Sequence, residues 1–282
     1  LAASTQSTIS SAHEPVPPQQ PAFLFRQLFD QATCTYTYLI ADPHLNIAVL
    51  VDPVLEQIDR DLQVLNELGL TLYYCLETHI HADHITSAHG LRNLTGCQII
   101  VPTDTNVWGA DRSIRDGEIL QIGGIHIKAI ATPGHTSSHM AYLINHSHLL
   151  TGDALFIRGC GRTDFQDGDA GQLYDVVTQT LFALADDTLV YPGHDYQGRT
   201  VSTIREEKRW NPRFKRDRSQ FIELMENLKL PYPKKMNQAI PANICCGFMI
   251  EPPTHSEQSI DSSASEYQAS ATDPLLFAGM YI

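Results

Sequence analysis

The sequence has no apolar run that approaches the length of a membrane-spanning helix. A bilayer core requires about 20 consecutive apolar residues, so we expect no membrane partner. Basic residues are also few, because 19 Lys and Arg stand against 32 Asp and Glu, for a formal net charge of -13. Nucleic-acid binding relies on clustered cations, and this balance therefore disfavours a nucleic-acid partner.

Cysteines at metal-binding or redox spacing are lacking as well. The six cysteines are scattered along the chain without a CxxC motif. This distribution favours a reducing compartment over a framework of disulfides.

No linker rich in Pro, Gly or Ser interrupts the middle of the chain. Residues 1–21, by contrast, contain hardly any apolar side chain to bury, and residues 251–282 are similar apart from a short apolar ending. The sequence therefore predicts a disordered N-terminal segment (1–21), one compact domain (22–250) and a low-complexity C-terminal tail (251–282).

The most informative segment reads THIHADH, from residue 78 to residue 84. It places His79, His81, Asp83 and His84 directly after a β-like apolar run, where a turn can direct them into one pocket. Imidazole nitrogens and carboxylate oxygens suit zinc and iron, so we interpret the segment as a metal site. The alternative is a histidine-rich surface turn.

Three further candidate ligands, His135, Asp153 and His194, each follow a short apolar run. Strands that deliver a polar residue at the same end build a site at one edge of a sheet. Alone, Asp153 would more often be a turn former and His194 a loop histidine, but the recurrence favours convergence of all seven residues. We also expect the Thr151 hydroxyl to support the turn at Asp153.

The apolar pattern predicts interleaved strands and helices. Leucine and isoleucine recur at helical spacing from Leu55 to Leu68 and stop at Gly69, whereas residues 34–40 alternate as on a half-buried strand. Further helices are predicted over residues 85–94, 171–184, 201–210 and 219–228.

The order HxHxDH, followed by GH, GD and GH at strand ends, resembles the metallo-β-lactamase superfamily. The resemblance implies an α/β fold, an αββα sandwich, with a metal site at the edge between two mixed sheets.

Two chemistries fit the ligands. In a dinuclear hydrolase, one metal binds His79, His81 and His135, a second binds Asp83, His84 and His194, and Asp153 bridges them.

In the second chemistry only His79, His135 and Asp153 bind metal, as the 2-His-1-carboxylate triad of non-haem iron(II) enzymes. The other four residues, together with Thr151, then orient the ligands and bound water. The identity of the ligands leaves both alternatives open.

The segments around the ligands distinguish the two. CTYTYLIAD (34–42), FIRGCGRTDFQDGD (156–169), YPGHDYQGRTVSTIREE (191–207), NPRF (211–214) and PANICCG (241–247) resemble the persulfide dioxygenases. The resemblance implies that glutathione persulfide is oxidised by dioxygen and water to sulfite and glutathione, in sulfide detoxification. It also implies one Fe(II) per chain, bound by His79, His135 and Asp153.

The resemblance extends to substrate contacts, since Tyr196 and Arg213 match positions associated with the glutathione moiety. For Arg162 we expect a structural role, in which it pairs with a buried carboxylate such as Asp164 or Asp195 and holds the metal loop. We expect the cytoplasm for a bacterial chain and the mitochondrial matrix for a eukaryotic one, and a homodimer is compatible with the sequence.

The main alternative function is that of glyoxalase II, a dinuclear hydrolase of S-D-lactoylglutathione with the same fold. That family usually has a longer helical C-terminal region. Its segment at the position of GRTDF also has a different sequence. A non-catalytic metal-binding protein is a weaker alternative, because this chain retains every candidate ligand.

Overall fold

The computed structural model describes residues Phe23 to Phe248, which contain two six-stranded sheets and the helices that cover them. The predictions for residues 1–21 and 251–282 lie outside the described residues, and the domain boundaries at 22 and 250 stay predictions. Within the described range, no helix has the length and apolar character needed to cross a bilayer.

The first sheet contains the N-terminal strands in chain order. Its first three strands pair antiparallel, and the pairs from the third strand onward are parallel. Parallel neighbours need a crossover connection, which two helices provide. The elements are β1 (Leu24–Asp30), β2 (Thr35–Asp42), β3 (Ile47–Val51), α1 (Ile58–Glu67), β4 (Thr71–Leu76), α2 (Ala88–Thr95), β5 (Gln98–Pro102) and β6 (Arg112–Ile114).

The second sheet is antiparallel except for one parallel pair, β10 with β11, which a helix connects. Its elements are β7 (Ile119–Ile122), β8 (Ile125–Ala131), β9 (Met140–Ile144), β10 (His148–Gly152), α3 (Ala170–Gln179), β11 (Leu189–Pro192) and β12 (Ser202–Thr203). Three more helices follow, α4 (Ile204–Trp210), α5 (Arg218–Glu226) and α6 (Met236–Ile244).

The two sheets pack face to face, with helices on both outer sides. Buried side chains from both sheets, such as Tyr38 and Tyr142, form the central core. A second core lies between the first sheet and helices α1 and α2, and a third between the second sheet and helices α3, α4 and α5. The predicted α/β fold with an αββα arrangement is confirmed.

Strand β2 departs from its predicted half-buried state, because all eight of its residues are buried. Tyr38 and Ile40 face the other sheet, whereas Leu39 and Ala41 belong to the core beneath α1 and α2. A helix layer covers the face that the prediction left to solvent.

Three helix boundaries also differ from the prediction. Thr86 pairs with Val54 in an isolated β-bridge, so the helix predicted from residue 85 begins at Ala88. The helix predicted from residue 201 begins at Ile204, because Ser202–Thr203 forms β12. The helix predicted over 171–184 ends at Gln179 and is followed by a 3-10 turn.

The ends of four strands lie at one edge of the sandwich. Asp52 follows β3, His79 comes three residues after β4, Asp153 follows β10 and His194 comes two residues after β11. The two sheets are joined there, since the Tyr36 N–H donates to the Gly193 carbonyl over 2.9 Å.

Candidate metal centre

Three buried side chains meet at this edge. His79, His135 and Asp153 bring one ligand atom each within 4.8 Å of one another. His135 Nε2 lies 3.5 Å from Asp153 Oδ2, and the buried Asp153 Oδ1 has no hydrogen-bond partner. A buried carboxylate oxygen without a partner is costly, and a bound cation would remove that cost.

The ring of His79 is oriented by a short chain of hydrogen bonds. Thr78 donates its hydroxyl to Asp52 Oδ2 over 2.8 Å and its N–H to Asp52 Oδ1 over 2.7 Å. The Thr78 oxygen therefore accepts from His79 Nδ1, which is 2.9 Å away. This arrangement leaves the lone pair of His79 on Nε2.

His135 is fixed in the same tautomer by the main chain. Its Nδ1 lies 2.6 Å from the carbonyl oxygen of Arg162, which can only accept a hydrogen bond. The adjacent Gly161 N–H donates to the Asp153 carbonyl over 2.7 Å, so one loop positions both residues. The lone pair of His135 is thus on Nε2, the atom nearest Asp153.

These three residues fit a divalent metal ion. Burial, followed by the neighbouring imidazoles, holds the pKa of His79 well below its usual range, so its ring is neutral. Two imidazole lone pairs and one carboxylate form a donor set that suits iron or zinc.

His139 is a fourth buried histidine in this centre, which the sequence interpretation did not single out. Its ring stacks on that of His79, with the ring centres 5.0 Å apart and the ring planes inclined by 28°. Its Nε2 accepts the Asp153 N–H over 3.0 Å. The signal available in the sequence was its position four residues after His135.

His81 directs its Nε2 toward two buried carboxylates, although its ring centre lies only 4.2 Å from that of His79. Its Nε2 lies 3.2 Å from Asp52 Oδ1 and 3.3 Å from Glu77 Oε2. Burial alone would lower the pKa of His81, but these carboxylates raise it well above its usual range. Asp52 and Glu77 were not identified from the sequence, although Glu77 directly follows the apolar run that precedes THIHADH.

A second group of converging ligand atoms, from His81, Asp83 and His84, lies beside the triad, and His194 contacts both groups. His84 Nδ1 lies 2.9 Å from Asp83 Oδ2, while His194 Nε2 lies 3.7 Å from the same oxygen and 3.6 Å from Asp153 Oδ1. Although burial acts in the opposite direction, the two imidazoles hold the pKa of Asp83 well below its usual range. Asp83 is therefore ionised beside the triad.

Two further residues hold the loops that present these side chains. The Thr151 hydroxyl donates to the Leu155 carbonyl over 2.6 Å and so closes the turn at Asp153, as the sequence predicted. Asn243, on helix α6, donates its side-chain amide to the carbonyls of His81 (2.9 Å) and His84 (2.8 Å).

A cavity of about 350 Å³ opens over the triad. Tyr196 and Arg213, whose contact with substrate stays a prediction, both line it. The Tyr196 ring stacks on His194 with 5.9 Å between ring centres, and Arg213 donates to the Cys160 carbonyl over 3.0 Å. The volume suits a small-molecule ligand.

Arg162 pairs with Asp164, one of its two expected partners, but the expected burial of that carboxylate is wrong. Its guanidinium pairs with Asp164 at 2.6 Å, but Asp164 is 40% exposed, so this is not a buried ion pair. Asp195 does not pair with it; that carboxylate accepts backbone N–H groups of its own loop. Arg162 instead donates to the Pro231 carbonyl over 2.7 Å and forms part of the cavity wall.

Comparison with known proteins agrees with this geometry. Residues 35–194 match the metallo-β-lactamase superfamily. The mitochondrial persulfide dioxygenase ETHE1 of Bos taurus is 47% identical, over 81% of this chain and 91% of the relative, and that of Homo sapiens is 47% identical over 82% and 91%.

A crystal structure of ETHE1 from Myxococcus xanthus is 52% identical in sequence to this chain. It superposes with a TM-score of 0.78, over 80% of this chain and 100% of that one. The chain therefore belongs to the metallo-β-lactamase superfamily and, within it, to the persulfide dioxygenases.

Proposed function

We propose that this protein oxidises glutathione persulfide with dioxygen and water at a single iron(II) held by His79, His135 and Asp153. One persulfide, one dioxygen and one water give one glutathione, one sulfite and two protons. The family supports a metal-dependent oxidoreductase acting on a small molecule. The choice of iron, the ligand set and the use of dioxygen are parts of the proposal.

The observation that carries the proposal is the orientation of His81, whose ring lies beside that of His79 but whose Nε2 faces Asp52 and Glu77. A dinuclear hydrolase would need His79, His81 and His135 on one metal. Among the described residues, no group of three converging ligand atoms contains both His79 and His81. Because His81 Nε2 faces Asp52 and Glu77, the arrangement favours one metal with a 2-His-1-carboxylate ligand set.

When bound, iron(II) would supply open coordination positions for the persulfide sulfur and dioxygen and would mediate electron transfer between them, with the persulfide sulfur as the source of the four electrons that dioxygen accepts. The protein contributes binding and orientation. Arg213 and Tyr196 hold the glutathione moiety in the cavity, and the hydrogen bonds that His79 and His135 donate to the Thr78 hydroxyl oxygen and the Arg162 carbonyl keep both rings in one tautomer. Asp83, His84 and His194 provide polar atoms beside the triad that can orient water.

The relatives from Bos taurus and Homo sapiens are called mitochondrial. For a eukaryotic source we therefore propose the mitochondrial matrix, and for a bacterial source the cytoplasm. The homodimer stays a prediction.

The test combines metal analysis of anaerobically purified protein with oxygen uptake. We expect about one iron per chain, oxygen consumption that depends on glutathione persulfide, and negligible cleavage of S-D-lactoylglutathione. Two metals per chain together with oxygen-independent thioester cleavage would replace this proposal with the glyoxalase II function.

A further inference from the structure

Five cationic side chains line the cavity, namely Arg158, Arg162, Arg199, Arg213 and Lys234. Among the described residues, two of them form ion pairs, Arg158 with Glu206 and Glu207, and Arg162 with Asp164. For the other three, Arg199, Arg213 and Lys234, no carboxylate of residues 23–248 lies within ion-pair distance. Cations that line a cavity without a counter-charge provide a binding site for anionic groups.

Arg199 lies on the loop that follows His194 and is held in place by neutral acceptors. Its guanidinium donates to the Ile157 carbonyl over 2.9 Å and to the side-chain oxygen of Gln197. The nearby Asp195 carboxylate accepts the backbone N–H groups of Gln197 (2.8 Å) and Arg199 (2.7 Å) instead. The guanidinium is therefore positioned, but its charge is not neutralised.

Arg199 and Arg213 are attached to the two ends of one short loop segment. Arg199 donates to the carbonyl of Ile157, and Arg213 donates to that of Cys160 over 3.0 Å. The segment between these carbonyls is a tight turn closed by the bridge between Phe156 and Gly159, so the two arginines are anchored close together. A tripeptide, which is about 10 Å long when extended, is long enough to reach both guanidinium groups.

We propose that Arg199 is a second carboxylate-binding residue of the cavity, and that with Arg213 it selects persulfides carrying two carboxylates. This inference rests on the proposed function, because it names the feature of glutathione persulfide that the site would recognise. A persulfide with one carboxylate can engage only one of the two guanidinium groups, so it gains less binding free energy.

The test compares the wild-type holoenzyme with Arg199→Gln, Arg199→Lys and Arg209→Gln. Gln retains an amide donor for the Ile157 carbonyl but removes the charge, and Lys retains the charge. Arg209 lies over Trp210 outside the cavity lining, so its variant controls for the change in net charge.

Two measurements are made on each protein. The first is calorimetric binding of S-methylglutathione, which carries two carboxylates and no reactive persulfide. The second is the ratio of kcat/KM for glutathione persulfide to that for N-acetylcysteine persulfide, which carries one carboxylate.

For Arg199→Gln we expect the dissociation constant of S-methylglutathione to rise about 10- to 100-fold, and the kcat/KM ratio to fall by a similar factor. Arg199→Lys should retain part of the affinity for S-methylglutathione and part of the kcat/KM ratio. Arg209→Gln should match wild type in both measurements. Unchanged binding, or equal loss of kcat/KM on both persulfides, would overturn the role of Arg199. If the wild type consumes no oxygen while the binding difference persists, the proposed function fails and the carboxylate site stands.

Discussion

The backbone N–H of Asp153 donates a hydrogen bond to Nε2 of His139 over 3.0 Å. Since that nitrogen accepts, the His139 ring carries its proton on Nδ1, which lies 2.7 Å from the Thr132 hydroxyl. Burial, followed by the charges of His135 and His81, lowers the pKa of His139 well below its usual range. A neutral imidazole thus fixes the backbone that presents the carboxylate of the triad.

We expect His139→Ala to lower both stability and metal content. The variant leaves the Asp153 N–H buried without an acceptor, which costs about 1–3 kcal/mol. His139→Gln offers a replacement acceptor and should lose less. Chemical denaturation and metal analysis provide the measurements, with His146→Ala as an exposed histidine control. A His139→Ala protein with wild-type stability and metal content would contradict this role.

His81 and Asp153 should respond differently to substitution. Asp153→Ala removes the only carboxylate of the triad, and we expect it to empty the metal site. His81→Gln keeps a donor toward Asp52 and Glu77, so it should retain most of the metal while turnover falls about 10- to 100-fold. Metal analysis and oxygen uptake measure both effects. Equal metal loss in the two variants would show that His81 is a metal ligand.

For Arg162→Gln we expect a higher KM with little loss of stability. The Arg162–Asp164 pair is partly exposed and contributes at most about 1 kcal/mol, whereas the hydrogen bond to Pro231 shapes the cavity wall. His135 should keep its orientation, because its partner is the Arg162 carbonyl. Kinetics and a melting curve test this, and Asp164→Asn isolates the ion pair. A large stability loss with unchanged KM would restore the structural role.

The stability of the protein should depend on pH through Asp61, on helix α1. Burial outweighs the adjacent Arg60 and raises the pKa of Asp61 from 3.8 to about 6. The folded state therefore binds this proton more tightly than the unfolded state, and stability falls as pH rises from about 4 to about 6. Above pH 6 the loss is ~3 kcal/mol.

We expect Asp61→Asn to remove this loss, so that the variant is more stable than wild type at pH 8 by up to about 3 kcal/mol and similar to it near pH 4. Urea unfolding at both pH values measures the difference. Asp59→Asn, an exposed carboxylate on the same helix, serves as the control. A gain that is the same at pH 4 and pH 8 would exclude titration of Asp61 as its cause.

The fold could be predicted where a local pattern agreed with tertiary packing. Helix α1 ends near Gly69 as predicted, since its apolar spacing and its glycine signal are both local. Strand β2 could not be described correctly, because alternation in sequence does not reveal that a helix layer covers its second face. Helix α6 was not predicted, and its Pro241 argues against a helix in sequence alone.

The candidate ligands followed from spacing and resemblance, and the structure brings His79, His135 and Asp153 together. The residues that orient them were harder to find. Asp52 and Asn243 act through hydrogen bonds to residues 26 or more positions away, and pairs at such separations produce no periodic pattern in the sequence. Arg162 was assigned a buried partner because the sequence gives no measure of the exposure of Asp164.

Asn243 has a consequence for the order in which the protein assembles. Its amide bonds the carbonyls of His81 and His84, which lie 162 and 159 residues earlier in the chain. Contacts of such sequence separation form late, because a long loop must close first. During synthesis on the ribosome, both sheets can be complete before residue 243 emerges. The metal-binding loop would then acquire its final shape, and its capacity to retain metal, only in the last stage of folding.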